Sequence, residues 1–244
     1  MMGPTHALGG AAALAAFSVV TGDERVSLLC FGVATASALI PDTDLPTSAL
    51  SHFPLNIIKI LAFPIWMNPF PRRVNGHTEH LAHRGRTHSI PALAEYVVLL
   101  WFYLWALGQL SVAVGHPLVL SSAITRALLA AGGIGYASHI GLDLLNISPG
   151  VQLLWPLPLR FVFPPFGRFG ADSMRAHYLI HIPLTIFLVW YGFQYGGLIW
   201  TATHADPLIG GLSGIAFGVI GALIQFGLNI LRSMSVSSLT SLSS

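Results

Sequence analysis

Histidine and aspartate side chains stand at the ends of apolar segments in this sequence, at spacings that suggest metal binding. His139 and Asp143 lie four residues apart, so on a helix they share one face, about 5–6 Å apart, and can bind one ion. A hydrogen-bonded buried pair is the alternative. Asp42 and Asp44 lie two residues apart, and in an extended segment their carboxylates point the same way. Such a pair needs a cation, whereas a solvated turn is the plainer interpretation of the same residues.

The segment 83–89 (HRGRTHS) combines two histidines with two arginines just before a long apolar stretch. Helix capping explains its threonine and serine but does not explain His83 and His88. Arg84 and Arg86 are candidates for holding a phosphate group in a bidentate grip. The alternative is that these arginines are ordinary positive charges at the membrane headgroups.

The composition indicates that these residues belong to a membrane protein. Hydrophobic residues make up 54% of the 244 residues and charged residues only 8%, with a mean hydropathy of +0.71. A soluble domain carries roughly a quarter charged residues, so this chain belongs in a bilayer. A net charge of +2 argues against nucleic-acid binding, and the single cysteine excludes a disulfide framework and any site of several thiolates.

Apolar segments of membrane-crossing length predict an all-α, multi-pass protein with about six transmembrane helices. Residues 55–65 are too short to cross and are expected to be interfacial or re-entrant, and 156–170 read as an irregular segment at headgroup level. We expect one domain over 1–232 and a Ser-rich disordered tail at 233–244. The predicted spans are roughly 7–22, 26–41, 90–114, 118–142, 179–203 and 207–231.

This topology brings the polar segments to one side of the membrane. His6 opens the first span, 42–44 follow the second, 83–88 precede the third, and 139–143 end the fourth. Most Lys and Arg residues fall on the same side, which predicts that it is cytoplasmic. Without thiolates, the nitrogen and oxygen ligands suit zinc first, with manganese or iron as alternatives. A divalent ion there would bring the pKa of its water toward about 7 and supply a nucleophile.

The same motifs resemble the YdjM family of inner-membrane proteins, which are described as metal-dependent hydrolases. The resemblance rests on His6, LIPDTD at 39–44, HRGRTHS at 83–89, GYASH at 135–139 and GVQLLWP at 150–156, and covers roughly residues 1–165. In the family's aspartate motif a histidine stands where this chain has Leu45. The resemblance implies that the site consists of His6, Asp42, Asp44, His83, His88, His139 and Asp143.

The order of histidines and aspartates is also similar to zinc-dependent phospholipase C, which suggests a phosphoester substrate. The resulting hypothesis is a hydrolase acting at the membrane interface on a lipid or lipid-linked phosphoester, with the bilayer as its partner and no nucleic acid. The expected metal ligands are His6, Asp42, Asp44, His88, His139 and Asp143, and the expected catalytic residues are His83, Arg84 and Arg86. The alternatives are a metal-ion or proton transporter, and a non-catalytic membrane protein with a structural metal site.

Overall fold

The protein is predominantly helical in a computed structural model that describes most of its first two hundred residues. The described residues are 3–22, 26–44, 73–74, 77–78, 85–115, 120–145, 150–163 and 177–204. The helices are α1 (Gly3–Thr21), α2 (Leu28–Ser37), α3 (Ile90–Ala113), α4 (Ser122–Asp143) and α5 (Ile182–His204). Short 3-10 turns follow α2 at Ile40–Asp44 and precede α3 at Arg86–His88, and a π-helical turn at His177–His181 leads into α5. Two strands of two residues, β1 (Arg73–Val74) and β2 (His77–Thr78), pair antiparallel.

Local sequence signals set several of these helix boundaries. Ser27, Ser89 and Ser121 are the N-caps of α2, α3 and α4, and each side-chain oxygen accepts a hydrogen bond from the backbone N–H three residues on. This bond satisfies one of the donors that a helix start leaves unpaired. Beyond the end of α3, Gly115 has φ +77°, a left-handed conformation that glycine adopts without a steric penalty. The boundaries of α3 therefore agree closely with the predicted span 90–114.

Small residues allow α1, α2 and α4 to pack with their backbones close together. A β-carbon added at Gly10 of α1 would lie 2.6 Å from the carbonyl oxygen of Ala34 in α2. One added at Gly135 of α4 would clash with the same carbonyl oxygen. Glycine and alanine at helix crossings permit such close approach in membrane proteins. This packing brings the start of α1, the end of α2 and the end of α4 to one end of the helix bundle.

Two described helices are long and apolar enough to cross a membrane. They are Pro4–Thr21 and Ile90–Ala113, and Leu28–Asp42 is a shorter apolar helical segment. The helical class is thus supported, whereas six spans and the cytoplasmic orientation stay predictions. The predicted segments 55–65, 207–231 and 233–244 lie outside the described residues.

Two further expectations concern non-helical segments. Residues 42–44 belong to a 3-10 turn, as the turn interpretation of the Asp42–Asp44 pair predicted, and not to the extended segment that was the alternative. The turn follows α2 closely, and 3-10 turns are frequent at the C-terminal ends of α-helices. Residues 150–163, which overlap the expected irregular segment, contain no helix and are held by an isolated bridge between Val151 and Phe161.

Candidate metal centre

Five predicted ligands meet at one end of the bundle. His6 comes from α1, Asp42 from the turn after α2, His88 from the turn before α3, and His139 and Asp143 from the last turns of α4. The three histidines are fully buried, Asp143 is 1% exposed, and the Asp42 side chain is 13% exposed. Four separate segments therefore contribute polar side chains to one nearly dry cluster, and Asp42 is its most exposed described member.

The ligand atoms lie at the distances expected around one ion. The Nε2 atoms of His88 and His139 are 3.0 Å apart, and each lies 3.5 Å from Oδ1 of Asp42. The His88 Nε2 is also 3.3 Å from Oδ2 of Asp143, and the His6 Nε2 is 3.4 Å from Oδ1 of Asp143. Ligands held about 2.0–2.2 Å from a metal are separated by roughly 3–3.5 Å along the edges of the coordination polyhedron. In two overlapping triads, His6–Asp42–His139 and His88–His139–Asp143, the ligand atoms all lie within 4.8 Å of one another.

A backbone carbonyl fixes which nitrogen His139 offers. Its Nδ1 lies 2.6 Å from the carbonyl oxygen of Ala38, so this nitrogen must carry the proton and donate. In a neutral imidazole the Nε2 atom then presents its lone pair to the cluster. A carbonyl that orients a ligating histidine in this way is the usual arrangement behind metal ligands. The two triads share His139, so the ligand atoms form one continuous cluster.

His6 supplies the clearest sign that the cluster is built around a ligand. It is fully buried, yet neither ring nitrogen has a hydrogen-bond partner in the described part of the chain. Its ring is stacked on that of His139 with centroids 3.6 Å apart, and its Nε2 faces Asp143 without hydrogen-bond geometry. Leaving a buried polar group without a partner is unfavourable by about 1–3 kcal/mol. Coordination of a cation by Nε2 would satisfy one of the two ring nitrogens.

The charges of the cluster also favour binding of a cation. Burial alone would raise the pKa of the Asp42 carboxyl, but its contacts with the rings of His139 and His88 hold it well below its usual range. Asp42 is therefore ionised at neutral pH, and Asp143 places a second carboxylate against the same histidines. Two carboxylates that converge on the same histidines repel each other, and a divalent cation would neutralise them.

The sequence analysis did not identify Tyr136 and Thr87 as residues that support the cluster. The hydroxyl of Tyr136 donates to the carbonyl oxygen of Thr87 at 2.5 Å, and the Thr87 hydroxyl lies 3.0 Å from Nδ1 of His88. The Tyr136 ring also stacks on Tyr96 at 5.1 Å. Tyr136 thereby fixes the turn that carries His88. The available signal was its position three residues before His139, which places both side chains on one helix face.

Of the three predicted catalytic residues, the structure describes Arg86. The guanidinium of Arg86 pairs with the Glu95 carboxylate at 2.6 Å and lies 5.1 Å over the ring of Trp155. Its role as a phosphate clamp stays a prediction. His83 and Arg84 lie outside the described residues. The sixth predicted metal ligand, Asp44, is the last residue of the 3-10 turn after α2.

Comparison with known proteins identifies the family. Residues 1–203 match the family model described as YdjM inner membrane protein. The chain belongs to the YdjM family. The match confirms the resemblance seen in the motifs and extends beyond residue 165 to most of α5. No curated protein and no solved structure matches the chain. Membership supports an inner-membrane location and leaves the reaction open.

Proposed function

We propose that this YdjM-family protein is a membrane-embedded, metal-dependent hydrolase. In this proposal one divalent ion, zinc first, is held by His6, Asp42, His88, His139 and Asp143. The observation that carries the proposal is the convergence of these five side chains, with the Nε2 atoms of His88 and His139 3.0 Å apart and two carboxylates facing them. Neutral histidines and carboxylates form the ligand class found at hydrolytic zinc and manganese sites.

The described residues have distinct roles in this proposal. When bound, a divalent cation supplies Lewis-acid polarisation of the scissile group and activation of water. Asp143 and the three histidines are buried and hold the cation, and the carbonyl of Ala38 keeps His139 oriented. Asp42 is the most solvent-accessible ligand and marks the side from which water and substrate approach.

The position of the centre supports a lipid or lipid-linked phosphoester as substrate. His88 lies two residues before α3 begins, and α3 is apolar enough to cross the bilayer. The ligand cluster is therefore expected at the boundary of the hydrocarbon region, where the ester bonds of lipid headgroups lie. A site near the bilayer midplane, as is common in transporters, would need the cluster halfway along these helices.

The depth of burial favours one competing function, a structural metal site. Four of the five ligands are almost completely inaccessible, and the cluster connects α1, α2, α4 and the start of α3. Structural sites have a closed shell of protein ligands, whereas catalytic sites keep one coordination position open. The two functions differ in whether metal removal abolishes turnover or only loosens the fold.

The test is an activity assay on purified protein in lipid nanodiscs. Phospholipid and phosphodiester substrates are supplied to wild type, to Asp42→Asn and to Tyr191→Phe, which lies outside the cluster, each with zinc, with manganese and after chelation. We expect metal-dependent release of product by wild type and Tyr191→Phe, and little by Asp42→Asn. Metal bound at full occupancy without turnover of any substrate would contradict the hydrolase proposal and favour the structural site.

A further inference from the structure

The loop of residues 150–163 exposes an unusual number of large apolar side chains beside the metal centre. Six of its residues are between 37% and 54% exposed: Leu154, Leu157, Leu159, Phe161, Val162 and Phe163. Surface loops are normally polar, and a contiguous exposed apolar patch marks an interaction surface. The loop therefore presents a binding surface.

Hydrogen bonds hold this loop in a defined shape. Val151 and Phe161 exchange two backbone hydrogen bonds, of 2.9 and 2.8 Å, which close residues 152–160 into a hairpin-like arch. The N–H of Phe163 donates to the carbonyl oxygen of Leu144 just beyond α4, at 2.8 Å. The apolar side chains are thus displayed by an ordered backbone.

The attachment of the loop to α3 sets its depth relative to the bilayer. The N–H of Ile90, the first residue of α3, donates to the carbonyl oxygen of Leu153 at 2.9 Å. The 24 residues of α3 extend about 36 Å, slightly more than the roughly 30 Å hydrocarbon thickness. The first residue of α3 therefore lies close to one boundary of the hydrocarbon region, and the loop lies at the same level.

The polar residues of the loop suit the headgroup region. Trp155 is partly buried under the guanidinium of Arg86, and Arg160 is exposed while its guanidinium donates to the carbonyl oxygen of Gly150 at 3.3 Å. Tryptophan and arginine beside apolar side chains are typical of segments at the membrane–water interface. The partner that fits this combination is a lipid surface.

We infer that residues 150–163 form an interfacial loop whose leucines and phenylalanines insert among the lipids next to the ligand cluster. The occupant of the apolar surface is the bilayer itself, because the loop lies at the end of a membrane-crossing helix of an inner-membrane protein. The contact between Arg86 and Trp155 joins this loop to the turn that carries His88. Lipid headgroups around the loop are thereby brought next to the candidate metal centre.

Fluorescence quenching tests this inference independently of any metal or activity. In a Cys30→Ala background, cysteines replace Leu157 or Leu159 in the loop, or Val98 on the exposed face of α3, and carry an environment-sensitive dye. The labelled proteins are placed in vesicles of phosphatidylethanolamine and phosphatidylglycerol. Each is exposed to aqueous iodide or to lipids with a quencher on the acyl chain.

We expect the loop labels to resemble the Val98 label, with blue-shifted emission, loss of iodide quenching and strong quenching by the acyl-chain probe. Full iodide quenching without acyl-chain quenching would place the loop in water and overturn the inference. Protection from both quenchers would also overturn it, because protein rather than lipid would then cover the loop. Using two loop positions keeps the test valid if one substitution impairs folding.

Discussion

Replacing Asp143 with asparagine isolates the electrostatic part of metal binding, because it keeps the size of the side chain and removes its charge. The side chain is 1% exposed, and its two oxygens lie 3.4 Å from the His6 Nε2 and 3.3 Å from the His88 Nε2. Asparagine replaces one of these oxygens with an NH2 group that cannot ligate a metal. Removing one partner from a buried charge pair costs about 3–5 kcal/mol. At about 1.4 kcal/mol per tenfold change, metal affinity should fall by roughly 100- to 5,000-fold.

Metal-dependent stability measures this loss directly. In detergent, wild type at a free metal concentration of 100 times its Kd should gain about 2.7 kcal/mol of unfolding free energy over the chelated protein. At the same metal concentration, a variant with 100-fold weaker binding should gain only about 0.4 kcal/mol. Glu95→Gln is the matched control, because it makes the same carboxylate-to-amide change at a residue whose side chain is 44% exposed. We expect it to keep the gain of the wild type.

Two results would refute this reasoning about Asp143. One is an Asp143→Asn variant that keeps the full metal-dependent gain while Glu95→Gln behaves like wild type. The other is a wild-type protein whose unfolding temperature is the same with metal and with chelator. Either result would mean that the buried carboxylate does not bind a cation.

Three further predictions follow from the same packing. Tyr136→Phe should weaken metal binding about 10- to 100-fold, since it frees the turn that carries a histidine ligand, and metal titration checks this. Tyr191→Phe, which removes a hydroxyl bonded to another helix, should lower stability without changing metal affinity. Gly135→Ala should destabilise the protein by about 1–3 kcal/mol, because its β-carbon would clash with the Ala34 carbonyl, whereas Gly141→Ala meets nothing within 4 Å and should not. Denaturant unfolding of the two alanine variants tests this difference. If the unfolding midpoint of Gly135→Ala equals that of wild type, the close packing of α4 against α2 is contradicted.

The convergence of these His and Asp side chains was largely predictable, because their spacing and their positions at segment ends carry the information. The four-residue interval between His139 and Asp143 places both on one helix face, and His6 and His88 stand at helix starts, which the predicted topology placed on one side of the membrane. At Asp42 the sequence favoured a turn without excluding an extended segment, because Pro, Asp and Thr are compatible with both, and the structure has a 3-10 turn.

Contacts between distant segments were beyond sequence reasoning. The Ala38 carbonyl that orients His139, the stacking of His6 on His139 and the hydroxyl bond of Tyr136 all depend on how closely α1, α2 and α4 pack. That distance is set by glycines such as Gly135, whose effect appears only when the neighbouring helix is known. Of the six spans that the apolar segments predict, two correspond to described helices that meet the criteria of length and apolarity, and the others stay predictions.

The central claim, that the cluster of five side chains binds a divalent ion, is tested most directly by the metal content of the purified protein. Elemental analysis would compare detergent-purified wild type, a folded His139→Ala, Asp143→Ala double variant and Glu95→Gln. We predict about one ion per chain held by this cluster in wild type and Glu95→Gln, and its loss from the double variant. Wild type that contains no metal, even after reconstitution with zinc or manganese, would contradict the account.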